Sequence, residues 1–237
     1  MKLLASALPC FGLCVCPLSA RAEIERALPS SVQYTSSVTN ILTGRAERFF
    51  TITEVQLKSV HGVGSAAIAK VNTKLTDASK QFFRAAANCR HMAADRPWHY
   101  ESKLDKIVLS PDFISIVFSR SQSCMGSPDF ERDAFVFYRK SGKHIPAGRL
   151  YTSFFPQEEL KLRQSYSMHL IVLNEKMAGT LLEKNGYSQG AITEHCADYL
   201  TNTAYSVWAS KSGLTLFPEF SQPVPDCQRE YTLGKDD

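Results

Sequence analysis

The stretch spanning residues 107–151 constrains this chain more than any other. Ile114, Ile116 and Phe118 alternate with Ser115, Val117 and Ser119, and Phe135 and Phe137 alternate with Ala134, Val136 and Tyr138. Successive side chains on a strand point to opposite faces, so β-branched and aromatic residues at every second position make paired, half-buried strands. Residues 122–132, between the two runs, read as a polar loop that holds Cys124, Gly126 and Pro128. Ser141-Gly142-Lys143 then closes the second strand as a tight turn, in which glycine takes backbone angles that other residues resist.

The N-terminus places the chain outside the cytosol. Met1-Lys2, a largely apolar run over residues 3–20, and Ala20-Arg21-Ala22 fit the charged, apolar and small-x-small parts of a secretory signal peptide. Glu23 is then the first mature residue, and the mature chain is expected in the periplasm or secreted. Pro9, Gly12 and Pro17 break the run and weigh against a retained membrane anchor. No later segment is expected to span a bilayer, so no stable membrane span survives processing. Cys10, Cys14 and Cys16 leave with the leader, and none follows the small-residue triplet that lipidation requires.

Four cysteines remain: Cys89, Cys124, Cys196 and Cys227. An even count in an exported chain implies two disulfides, for which three connectivities exist. Pairing Cys89 with Cys124 and Cys196 with Cys227 keeps each bridge within one half of the chain and is preferred. The wide spacing, with no Cys-x-x-Cys, argues against a metal site, and no cofactor is expected. The formal net charge is +4, from 27 basic and 23 acidic residues; removing Lys2 and Arg21 leaves 25 against 23. No run of like charge gathers this small excess into a stripe, so nucleic acid is not an expected partner.

The other elements follow from periodicity. Residues 23–48 read as a polar, extended lead-in with one edge strand near 32–34, and residues 49–60 as a strand. From residue 66 to about 88 the period changes: Ile68, Val71, Leu75, Ala78, Phe82 and Ala85 step by three and four, the spacing of one helical face. Ser65 is its expected cap, and Cys89 is expected just past its end. Trp98 opens a strand to about residue 109. Residues 145–155 read as a short connection. Pro156, Glu158 and Glu159 suggest a helix start, with Leu162, Tyr166, Leu170 and Leu173 continuing it to about residue 176, and His169 beside its apolar face. A last helix over 189–200 precedes strands at 204–209, 214–217 and 227–233. The expected fold class is therefore α+β, with residues 49–151 and 152–237 as its two halves. A chain of 237 residues can bury one or two such cores.

The order of these elements resembles the extracellular domain of the lysozyme-receptor anti-sigma factors, a domain also fused to some peptidoglycan deacetylases and found as a stand-alone exported unit. The resemblance rests on a strand over 53–57 followed by Ile68-Ala69-Lys70-Val71-Asn72-Thr73-Lys74-Leu75, on Ile114-Ser115-Ile116-Val117-Phe118, on Phe135-Val136-Phe137-Tyr138 with Ser141-Gly142-Lys143, and on Gly213-Leu214-Thr215-Leu216-Phe217-Pro218. Where that family has a Gly-Gly-Ala-His loop, this chain has Cys124-Met125-Gly126-Ser127-Pro128 and no histidine. The resemblance implies antiparallel sheets in two related halves, each covered by helices, and a binding role at the cell envelope. It transfers neither an active site nor the signalling role.

Two functional classes follow. The first is a binding or sensing module whose disulfide-tethered loop presents Met125, Asp129, Phe130, Glu131 and Asp133 to an envelope glycan, a cell-wall fragment or a secreted protein such as lysozyme. The second is a hydrolase of envelope polymers using His195 or the loop carboxylates. His-Glu-x-x-His and P-loop motifs do not occur. The cluster Glu194-His195-Cys196-Ala197-Asp198 offers a nucleophile only if Cys196 is a free thiolate, and in an exported chain it is expected to be oxidised. The first class is favoured, and no catalytic residue is assigned.

Overall fold

The computed structural model describes residues 22–24, 32–42, 48–124, 128–164, 169–220 and 224–234. The first half runs β1 Ala22–Ile24, β2 Val32–Leu42, β3 Arg48–Val60, α1 Ser65–Ala93, β4 Trp98–Leu109, β5 Phe113–Ser123, β6 Asp129–Tyr138 and β7 His144–Ile145. Its seven strands form one sheet in chain order. Every pair is antiparallel except β3–β4, where α1 makes the crossover that a parallel pair requires. The second half runs α2 Ala147–Phe154, β8 Lys161–Gln164, β9 His169–Val172, α3 Glu175–Lys184, α4 Glu194–Thr201, β10 Ala204–Ala209, β11 Leu214–Glu219 and β12 Tyr231–Leu233. Its five strands form an antiparallel sheet in the order β12-β11-β10-β9-β8. The fold is thus α+β, and both expected bridges are present, Cys89–Cys124 and Cys196–Cys227.

Helix α1 is the first half's cover. Its buried residues Ala67, Val71, Leu75, Ala78, Phe82, Ala86, Cys89 and Ala93 step by three and four along one stripe. That stripe packs on Ile52, Val55, Leu57, Ile114, Ile116, Phe118, Phe135 and Phe137. Phe82 meets the rings of Phe118 and Phe135 at 5.3 and 6.3 Å. The parallel ladder stops at Ile52, and beyond it Asn72 of α1 stands in for a strand neighbour. Its carboxamide accepts from Leu57 N–H at 2.8 Å and donates to Leu57 C=O at 3.0 Å. At the other end of the sheet, Gly142 (φ +65°) lets the β6–β7 turn lie against the first turn of α1; a Cβ there would sit 2.1 Å from Ala67 O.

The opposite face of β5 and β6 belongs to the second core. Val117, Ala134 and Val136 pack with Tyr205, Val207, Trp208, Leu214 and Leu216, under cover of α2, α3 and α4. β5 and β6 are therefore buried on both faces, which explains why Ile114–Phe118 and Ala134–Phe137 are apolar at both parities. The two halves are also joined by Ser115 Oγ, which donates to Ala209 C=O at 2.9 Å.

Several expectations are corrected. The lead-in contains an eleven-residue strand, β2, not a three-residue edge. Helix α1 begins at Ser65 with Gly64 as its cap and runs on to Ala93, so Cys89 lies inside it. Residues 145–155 contain α2. The helix expected over 156–176 is instead the β8–β9 hairpin, since spacings of four fit a strand period of two as well as a helix; Tyr166 lies outside the described residues. The following helix starts only where Asn174 caps it, accepting from Met177 N–H at 2.8 Å. The last helix likewise starts at Glu194, capped by Thr193. Of the expected leader, residues 1–22, all but Ala22 lie outside the described residues, and among the described residues no helix is long and apolar enough to cross a membrane.

Candidate functional site

The β5–β6 tip is held at its base by covalent and ionic ties. Cys124, one residue past β5, is bonded to Cys89 near the end of α1, fixing the tip to the helix. Below it the β5–β6 register sets Gln122 opposite Asp129, Arg120 opposite Glu131 and Phe118 opposite Asp133. Arg120 continues the parity of Ile114, Ile116 and Phe118 and so points under α1, where it is 2% exposed. It forms ion pairs with Glu131 and, through Nε at 3.0 Å, with Asp133. Burial opposes its charge, but Asp133, Tyr100 and Glu219 outweigh that and hold its pKa above the ordinary guanidinium value. Burial likewise pushes the Tyr100 hydroxyl well above the usual phenol range, with Asp133 adding to it and Arg120 opposing.

The predicted binding residues therefore separate. The reading of residues 122–132 as a polar loop is corrected: β5 runs to Ser123 and β6 begins at Asp129. Asp133 is 2% exposed and serves as Arg120's internal counter-ion, and Glu131 is turned the same way. These two hold the platform together. Asp129 is half-buried and accepts from Gln122 Nε2 at 3.3 Å. Phe130, on the opposite parity, is 44% exposed. Met125 lies outside the described residues. Asp129 and Phe130 are the predicted residues left at the surface of the tip.

Sequence reasoning missed Glu219, which sits behind this cluster on the other face of the sheet. The last residue of β11, it is 4% exposed, and its Oε1 accepts from Arg132 N–H at 2.9 Å and Ser206 Oγ at 2.8 Å. Burial pushes its carboxyl up to about 8; the two hydrogen bonds and Arg120 oppose the shift, and Asp133 adds to it. Ser206 Oγ also lies within hydrogen-bond reach of Arg132 C=O, so its single proton is shared between that carbonyl and Glu219, and Gln228 Nε2 donates to Phe130 C=O at 2.9 Å. Phe130 and Arg132 share a parity, so these side chains occupy the outer margin of β6 where the two-residue β7 gives no cover. Arg120 carried one available signal: it continues the parity of Ile114, Ile116 and Phe118.

The catalytic alternative finds its residues dispersed. Cys196 is bridged to Cys227 and offers no thiolate. His195 stands on the exposed side of α4 with its ring 4.9 Å from that of Tyr199. His169 is on strand β9, exposed, rather than on a helix. Among the described residues no group of three or more His, Cys, Asp or Glu side chains is placed to hold a metal ion.

No protein-family profile and no curated protein matches the chain. Among solved structures, it is similar to a DUF3298 family member from Bacteroides fragilis, with 10% identity, a TM-score of 0.47, and coverage of 86% of this chain and 91% of the other. It is also similar to a DUF3298 family protein from Pseudomonas aeruginosa, with 13% identity, a TM-score of 0.47, and coverage of 95% and 94%.

Proposed function

We propose that this protein is an exported envelope module that captures a glycan, a cell-wall fragment or a secreted protein such as lysozyme with its stapled β5–β6 tip. The leader over residues 1–22 and two disulfides that need an oxidising compartment support export to the periplasm or the exterior. The resemblance to the lysozyme-receptor extracellular domain supports the choice of partner.

The observation that carries the reading is Phe130, a large apolar side chain 44% exposed on a hairpin fixed by the Cys89–Cys124 bridge and the Arg120 ion pairs. An exposed aromatic on a pre-ordered scaffold costs little entropy to bind and is the residue type that dominates interfaces. Asp129 beside it supplies a carboxylate for a basic partner.

The test is retention of the mature protein by immobilised lysozyme and by purified peptidoglycan, beside Phe130→Ala and Asp129→Asn variants. Wild type should be retained by one of the two, with Phe130→Ala weakening binding by more than about tenfold. Failure of both matrices to retain wild type, or undiminished retention of Phe130→Ala, overturns the reading.

A further inference from the structure

A separate cleft of about 280 Å³ lies where the halves meet, beside β7. Its floor is apolar: Ala134, Val136, Ile145 and Val207. Its rim carries Lys74 and Gln81, two turns apart on α1, with His144 of β7 and His169 of β9. These polar groups are cationic or neutral, and no carboxylate lines the cleft. Among the described residues Lys74 forms no ion pair. Strand alternation also turns the N–H of Ala134 to the same margin as those of Arg132 and Val136.

We propose that this cleft binds a small amphipathic carboxylate, with its anionic head against Lys74 and His144 and its body on the floor of Ala134, Val136, Ile145 and Val207. An apolar cavity with a few convergent polar groups is the usual form of a small-ligand site, and its volume falls just below the range that takes drug-sized ligands. It suits one sugar ring or one to two amino-acid residues.

The electrostatics fit an anion. Burial, aided by Lys74, pushes the His144 imidazole down to about 4. The ring is therefore neutral near pH 7 and can donate one N–H. The ionisable groups that share the cleft with it are Lys74 from α1 and His169 from β9; β6 presents only the rings of Phe135 and Phe137, at 6.3 and 5.6 Å. A bound carboxylate offsets Lys74 and raises the His144 value, so binding is coupled to proton uptake by the His144 imidazole and affinity grows as pH falls towards 5.

Two sources share this chemistry, an acidic sugar and a peptide C-terminus, and two probes separate them. The full mature chain is titrated with N-acetylmuramic acid and with N-acetylalanine, each to on the order of 10 mM, enough to saturate a Kd of ~1 mM. N-acetylglucosamine and N-acetylalaninamide serve as uncharged counterparts, and the His144 ring resonances are followed by NMR. At least one acid should shift those resonances and raise the pKa of His144. Lys74→Met should weaken that binding by about tenfold, the scale of a charge-assisted hydrogen bond, with thermal melting unchanged. The proposal falls if neither acid moves the His144 signals, if the uncharged counterparts act as well as the acids, or if Lys74→Met binds as wild type does. Phe130→Ala should leave this cleft's binding intact, which separates its failure from failure of the tip.

Discussion

Replacing Glu219 by Gln tests whether burial keeps this carboxyl protonated at neutral pH. Glutamine keeps the shape and retains an oxygen for Arg132 N–H and Ser206 Oγ, but it cannot ionise. In the unfolded chain the carboxyl titrates near its ordinary value of 4.5; in the fold, burial pushes it up to about 8. A carboxyl raised in this way contributes its full stability below 4.5, where both states hold the proton. As pH rises from 4.5 to 8 the unfolded state ionises while the native state does not, and each pH unit removes about 1.4 kcal/mol. Between pH 5 and pH 7.5 wild type should lose about 3 kcal/mol relative to Glu219→Gln, all other carboxylates being common to both. Urea unfolding of the two proteins at both pH values, with the disulfides intact, measures that difference directly. Parallel pH profiles would refute the reasoning, because they would mean that Arg120 and the two hydrogen bonds hold Glu219 ionised in place.

Three further outcomes follow from the same contacts. Arg120→Met should destabilise the protein by about 3–5 kcal/mol by leaving Asp133 buried without its cation, and adding Asp133→Leu should recover part of that in urea unfolding. Removing the Cys89–Cys124 bridge as a double serine variant should cost about 3–4 kcal/mol, as expected for a loop of 35 residues, seen as a lower urea midpoint than oxidised wild type. Gly142→Ala should cost about 1–3 kcal/mol, since it combines a φ of +65° with a methyl group driven into Ala67 C=O, whereas Gly64→Ala, whose methyl meets nothing within 4 Å, should leave the melting temperature near wild type.

The parts of the fold legible in the sequence were those whose pattern had one reading. Ile114–Ser119 and Ala134–Tyr138 were recognisable as strands because aromatic and β-branched residues alternate there, while the polar ends of β5 and β6 read as loop; α1 was recognisable because steps of three and four persist along it. Residues 156–176 failed because Leu162, Tyr166 and Leu170 satisfy both periods, and only the cap at Asn174 fixes where a helix can begin. The tip was half legible. Asp129, Glu131 and Asp133 look alike on paper, and what separates them is a cross-strand partner, Arg120, thirteen residues before Asp133. Glu219 was invisible for the same reason: its environment is assembled from Arg132 and Ser206, and no local pattern reports a contact 87 residues away. Asn72 belongs to the stretch that carries the family resemblance, and its physical reason lies in the two backbone groups of Leu57 that it bonds.

The side chains of Ser206, Glu219 and Gln228 along the rim of β6 carry a cost for any attempt to divide the chain. A fragment ending near residue 151 would bare the amide and carbonyl of Arg132 and the carbonyl of Phe130, a template onto which a neighbouring polypeptide could zip. The C-terminal portion thus shields the N-terminal one, and the two are expected to fold together as one unit.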